Sequence, residues 1–201
     1  MGTHEKFIMI KELVFATNNA HKIEEVAHAI GNQFKILSLK DILFEDEIEE
    51  TGTTFKENAS VKTHHIYQKY KVNCFGDDSG LEIEALGGEP GVYSARYAGE
   101  HGNHEANMAR VLDQMQDVSN RKAQFKTVIS LIWEGQEYWF EGTVPGTIRT
   151  ELSGTKGFGY DPIFQPDGFG VTFAEMSLEE KNSISHRGKA LAQLVDFLNK
   201  I

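Results

Sequence analysis

The sequence predicts an α/β (mixed α+β) fold, an elongated mixed β-sheet flanked by helices. Three observations carry that reading. Short apolar runs alternate along the chain with segments of helical period. Two longer runs, Phe125 to Trp133 and Tyr138 to Val144, flank Glu134-Gly135-Gln136-Glu137 as an antiparallel hairpin. No repeat, low-complexity tract or linker interrupts the 201 residues, so the chain is read as a single domain, 1–201, long enough for one sizeable core and two lobes.

The elements follow in order. Leu13 to Ala16 is a strand that ends in Thr17-Asn18-Asn19, and Ile23, Val26, Ala27 and Ile30 open a helix directly after that tight loop. Phe34 to Leu37 is a second strand, and Glu45 to Glu50 an acidic loop. Thr54 with Glu57 forms a capping box ahead of a helix carrying Phe55, Ala59, Ile66 and Tyr70. The apolar run Val72 to Phe75 leads to a Gly- and Pro-rich loop, Gly87 to Gly91, and a helix spans His104 to Met115. After the hairpin, Ser177 with Glu180 is another capping box, and Ala190, Leu191, Leu194, Val195 and Leu198 give the last helix, His186 to Leu198, a buried stripe.

Composition narrows the function classes. Apolar residues at 40% and charged residues at 25% describe an ordinary soluble globular chain, and no stretch approaches the roughly 20 apolar residues of a spanning helix. The start, MGTHEKFIMI, has neither the apolar core nor the cleavage site of a signal peptide, and Lys6 breaks the myristoylation pattern at Gly2. Cys74, the only cysteine, excludes an intramolecular disulfide and a thiolate zinc site, and its apolar setting reads as a small buried filler. A cytoplasmic location is expected, with no membrane partner. The formal net charge of -10 disfavours contact with nucleic-acid backbone. A small anionic ligand would need a local basic pocket, a bound cation, or both.

Residues Gly76-Asp77-Asp78-Ser79-Gly80-Leu81 place two adjacent acids at the end of an apolar run. Adjacent carboxylates near a core need a cation, a proton or hydrogen-bond donors, so a metal-assisted reaction centre is one reading. A strand ending in an acidic turn is the other. Five further segments bear on the choice. Thr17 to Lys22 offers backbone N–H groups and a lysine to an anion at a helix start, without P-loop spacing. Glu45 to Gly52 is acidic, and Lys56, Asn58 and Lys62 on the next helix could reach a phosphate. Gly157 to Pro162 lets backbone approach a planar ligand, with Phe158 and Tyr160 able to stack. Lys181 and Ser185-His186-Arg187 suit an oxo group on a base. Each also has an ordinary structural explanation as cap, turn or solvated face.

Their order decides between the readings. T-x-N-x-x-K, E-E-T-G-T-T-F-x-E-N-A, D-D-S-G-L, L-G-G-x-P-G-V-Y-S-A-R-Y, G-F-G-Y-D-P-I-F and S-H-R-G-K-A-L occur together and in sequence. This resembles the inosine triphosphate pyrophosphatase family, the XTP/dITP diphosphatases, over roughly residues 13 to 198. The resemblance implies two lobes with a nucleotide cleft between them, a homodimer, and Mg²⁺-dependent hydrolysis of a purine nucleoside triphosphate to monophosphate and pyrophosphate. It further implies that Thr17, Asn18, Asn19, Ala20, His21 and Lys22 hold the triphosphate, with Lys62 a further contact. Glu49 and Asp78 bind the metal, Asp78 doubling as general base, with Glu50 and Asp77 as partners. A metal beside Asp78 would lower its pKa. Ser79 lies beside the nucleotide, Phe158, Gly159, Tyr160 and Asp161 surround the base, and Lys181, His186 and Arg187 complete the pocket. Asn18 stands where many relatives have glycine, and Asn tolerates a left-handed turn. A Maf-type pyrophosphatase is disfavoured by the Phe158 to Asp161 and His186 segments. A nucleotide sensor would not need Lys22, Glu49, Asp78 and Lys181 together.

Overall fold

In the computed structural model, which describes residues 11–31 and 34–201, six strands form one sheet. They are β1 (Lys11–Phe15), β2 (Phe34–Leu37), β3 (Cys74–Ile83), β4 (Lys122–Trp133), β5 (Gln136–Ile148) and β6 (Phe164–Pro166), in the spatial order β2-β1-β3-β4-β5-β6. Helix α1 (Ala20–Ile30) connects β1 to β2, and α2 (Phe55–Tyr70) precedes β3; these crossovers make the β1–β2 and β1–β3 pairs parallel. The remaining pairs are antiparallel, so the sheet is mixed, as the sequence predicts. Helices α3 (His104–Gln114), α4 (Leu178–Ile184) and α5 (His186–Leu198) complete the fold. The amino-terminal features at Gly2 and Lys6 lie outside the described residues.

The local signals act as expected at several points. Thr54 accepts the Glu57 N–H while Glu57 reaches back to the cap, and Ser177 and Glu180 do the same for α4. Ser185 ends α4 and caps α5 by accepting the Gly188 N–H at 3.0 Å. The hairpin turn is two residues, Glu134 (φ 49°) and Gly135 (φ 84°), rather than four. Both are left-handed, which matches strand twist and lets β4 and β5 pair right up to the turn.

The largest difference concerns β3. It does not end at the acidic pair but runs on to Ile83, every residue from Cys74 to Ile83 facing a β4 partner. Pairing on this scale holds the backbone extended through Asp77 and Asp78 despite their low strand preference, while cations from the helices compensate Asp77 and an amide from α2 holds Asp78.

Alternation along β1 divides the core. Leu13 and Phe15 join Val26, Ile30, Phe75, Leu131, Leu191 and Leu194 beneath α1 and α5. Val14 and Ala16 join Ile66, Cys74 and Ile132 beneath α2. A third cluster at the far end of the sheet gathers Leu81, Ile83, Phe125, Phe164 and Phe173 against Val111 and Met115. Cys74 is buried and its Sγ donates to the Thr63 carbonyl at 3.4 Å; burial pushes the thiol up to about 12, consistent with a filler. No helix among the described residues is long and apolar enough to cross a membrane.

Candidate active site

A cavity of about 480 Å³ opens along β3, walled by the loop after β1, the acidic loop, α2 and the α4–α5 junction. The pleat of β3 decides what enters it. Asp77 and Ser79 face α1 and α5: Asp77 Oδ1 takes Lys22 Nζ at 2.9 Å, Asp77 Oδ2 takes Ser79 Oγ at 3.0 Å, and Arg187 Nε lies 3.5 Å from the same oxygen. Asp78 faces α2, where Asn58 Nδ2 donates to its Oδ2 at 3.1 Å. Its Oδ1 accepts the Ser79 N–H at 3.0 Å and lies 3.9 Å from Lys62 Nζ.

The two acids therefore differ in charge state. Both are buried. Burial opposes ionisation of Asp77, but Lys22, Arg187 and Lys62 outweigh it and hold the carboxyl well below the usual range. For Asp78 burial wins over Lys62, and with Glu50 adding repulsion the carboxyl is pushed up to about 6. The protein groups alone thus raise this pKa, whereas the lowering expected from sequence belongs to Asp78 with a metal beside it.

At the other end of the cavity, Lys181 Nζ bonds Glu25 Oε1 at 3.0 Å and Asp161 Oδ2 at 2.8 Å, and Arg187 Nη1 pairs with Glu25 Oε2. Asp161 Oδ2 also accepts the Phe158 N–H at 2.8 Å, inside a turn where a side chain at Gly157 (φ 74°) would collide with it. Phe158 carries Lys181 and Arg187 at 4.9 and 5.5 Å from its ring centre and stacks on His21. His186 stacks on Phe125 at 4.7 Å; burial, then Arg187 and Lys181, lower its pKa well below the ordinary value, so the ring is neutral. Its Nδ1 is buried with no partner.

The structure gathers most of the predicted residues. Thr17, Asn19, Lys22, Lys62, Asp78, Ser79, Phe158, Gly159, Tyr160, Asp161, Lys181, His186 and Arg187 all line the cavity. Asn18, Ala20 and His21 are exposed and outside its lining. Asn18 is not left-handed; its side chain instead accepts the Lys40 N–H at 3.0 Å, tying the loop to the segment after β2. The acidic loop presents Glu50 to the cavity, while Glu49 is exposed and outside the lining. Glu50 pairs with Lys62 at 2.6 Å and Arg96 at 3.6 Å. Tyr160 is not free to stack, since its ring is buried and its hydroxyl donates to the Ser94 carbonyl at 2.8 Å. Lys56 points away, over the Trp139 ring at 4.0 Å. Sequence reasoning missed Glu25, although three residues after Lys22 it falls on the same helix face.

The donor chemistry fits a small hard cation. The available ligands are carboxylates: Asp78, lacking full charge compensation, with Glu50 in the wall and Glu49 beside it on the loop. No cluster of three His, Cys, Asp or Glu among the described residues forms a ready cage. Mg²⁺ suits such a site, because it keeps waters and takes phosphate oxygens alongside one or two carboxylates.

The Ham1 family model matches residues 13–197, from within β1 to the last turn of α5, and takes in the whole cavity. The chain belongs to the Ham1 family. Its Ham1 relatives include proteins named dITP/XTP pyrophosphatase from Flavobacterium johnsoniae, 52% identical over 93% of this chain and 97% of that one, and from Porphyromonas gingivalis, 47% identical over 94% and 98%. The solved Ham1 protein of Staphylococcus aureus superposes with a TM-score of 0.87 at 41% identity, covering 94% of this chain and 99% of that chain. The Ham1 protein of Coxiella burnetii gives 0.88 at 38% identity, covering 96% and 100%. The mixed sheet with flanking helices is thus the Ham1 fold.

Proposed function

We propose that the chain hydrolyses non-standard purine nucleoside triphosphates, XTP, ITP and dITP, to the monophosphate and pyrophosphate, cleansing the nucleotide pool. The observation that carries this reading is the different partnering of two neighbouring acids, Asp77 paired with Lys22 and Arg187 and Asp78 held by the Asn58 amide at the cavity wall. The names of the Ham1 relatives support the substrate class.

In this reading Thr17 to Lys22 and Lys62 receive the triphosphate, whose charge the lysines and the helix start offset. Asp78, which faces the cavity near Lys62, takes a proton from the attacking water. Ser79 lies beside the nucleotide. Mg²⁺, held by Asp78 with Glu49 and Glu50, would supply charge neutralisation at phosphate and a more acidic water. Phe158 to Asp161 surround the base. Lys181, His186 and Arg187 present donors to a 6-oxo group, and the 6-amino group of adenine would leave them unpaired. The enzyme works as one two-lobed domain, 1–201, with the nucleotide in the cleft, as a cytoplasmic homodimer without nucleic-acid or membrane partners.

The test is incubation with Mg²⁺ and a panel of ITP, XTP, dITP, ATP, GTP and UTP, with the phosphorus products identified. Pyrophosphate from ITP, XTP or dITP in preference to ATP is expected, and is lost on chelation. Orthophosphate alone, or no product, would overturn the reading.

A further inference from the structure

The mechanism above leaves Asn58, a fully buried polar side chain of α2, without a role. Asn58 has no exposed surface, yet both ends of its amide are engaged across different parts of the chain. Its Oδ1 accepts the Gly52 N–H at 2.8 Å, and its Nδ2 donates to Asp78 Oδ2 at 3.1 Å. A Cβ at Gly52 would lie 2.7 Å from that Oδ1 and 2.6 Å from Glu57 Cβ, so only glycine brings the loop backbone this close. Gly52 is the end of the acidic loop, two residues past Glu50.

We infer that Asn58 is a positioning residue for Asp78, one amide that fixes the carboxylate plane and ties the acidic loop to it. The inference rests on the proposed role of Asp78. An amide N–H holds Asp78 Oδ2 in place without neutralising it, unlike the lysine and arginine on Asp77. With Oδ2 held, Oδ1 is turned to the side where Lys62 and Glu50 stand. Because Lys62 follows Asn58 by one helical turn, a single face of α2 carries the amide, the ammonium and, through Gly52, the register of the loop. Spending both ends of a buried amide on one geometry restrains it as an isolated cap would not.

Two variants separate the halves of the amide. Asn58→Leu removes both bonds at similar volume. Asn58→Asp keeps an acceptor for Gly52 N–H but loses the amide N–H donor, so it can face ionised Asp78 only by taking up a proton of its own, and it carries the test, at a pH high enough to ionise both, if the leucine variant fails to fold. For whichever variant folds, kcat for ITP should fall roughly 30-fold or more while KM changes by less than about 3-fold. Mn²⁺ affinity, followed by its electron paramagnetic resonance signal without turnover, should weaken roughly 10-fold. In an Asp78→Asn background the same change at position 58 should leave Mn²⁺ affinity unaltered. Normal kcat and Mn²⁺ affinity in a folded variant would overturn the inference, as would an equal loss of affinity with and without Asp78. If Asp78→Asn itself retains turnover, the proposed role of Asp78 fails instead, so the two failures are distinguishable.

Discussion

At the residue scale, Asp78 stores a cost that its proposed role at the cavity wall explains. An acid whose folded pKa of about 6 exceeds the ordinary 3.8 is favoured by the fold in its protonated form. Its effect is small below pH 3.8, stability is lost as pH rises to about 6, and above that ionisation costs on the order of 3 kcal/mol. Asp78→Asn should abolish turnover and, without metal, raise Tm by roughly 6 to 12 °C at about pH 7.5, with little change near pH 4. A melting temperature unchanged at both pH values would contradict it. Asp77 behaves with the opposite sign: its depressed pKa lends stability above the ordinary value that is lost on acidification. Glu25 compensates both Lys181 and Arg187 while buried itself. Glu25→Ala would leave Lys181 with Asp161 and Arg187 with Asp77 as their remaining carboxylate partners, and removing a shared buried counter-charge should cost about 3 kcal/mol in denaturant unfolding. A loss well under about 1 kcal/mol would show that water takes the place of the carboxylate.

At the element scale, α5 starts where β5 lets it. A Cβ at Gly142 would stand 2.1 Å from the His186 carbonyl oxygen and 2.8 Å from Ala190 N, so the strand and the helix start approach through the absent side chain. Gly142→Ala should push the His186-Arg187 turn off the sheet, costing about 1 to 3 kcal/mol of stability. Because that turn is read as the base pocket, KM for ITP should rise more than kcat falls, as steady-state kinetics would reveal. The caps are more separable. Thr54→Ala deletes the acceptor of the Glu57 N–H and should cost about 1 kcal/mol, measured by urea titration.

At the scale of the whole molecule, the cavity draws on the loop after β1, on α2, β3 and both carboxy-terminal helices, so its parts are distant in sequence. A ligand that needs all of them binds only the folded chain. At 100 times its Kd, a non-hydrolysable inosine triphosphate analogue with Mg²⁺ should add about 2.7 kcal/mol, or roughly 5 to 10 °C in Tm. Differential scanning calorimetry should find a much smaller shift with the adenosine analogue; equal shifts would remove the base pocket as the source of selectivity. The net charge of -10 makes this local: the cations proposed to receive phosphate are the few gathered at the cavity.

The sequence by itself determined the mixed sheet, the hairpin, both capping boxes and about half of the cavity-lining residues, because these depend on local periodicity, cap chemistry and contiguous motifs. It could not determine where β3 ends, since Asp77 and Asp78 are poor strand residues held extended by a partner strand far along the chain. Nor did it separate their charge states, which follow from opposite faces of one pleat meeting different helices. Glu25, Asn58 and the orientation of the acidic loop belong to the same class. Each acts through a partner distant in sequence, such as Lys181 for Glu25 and Asp78 for Asn58, and only tertiary structure brings those partners within hydrogen-bond range.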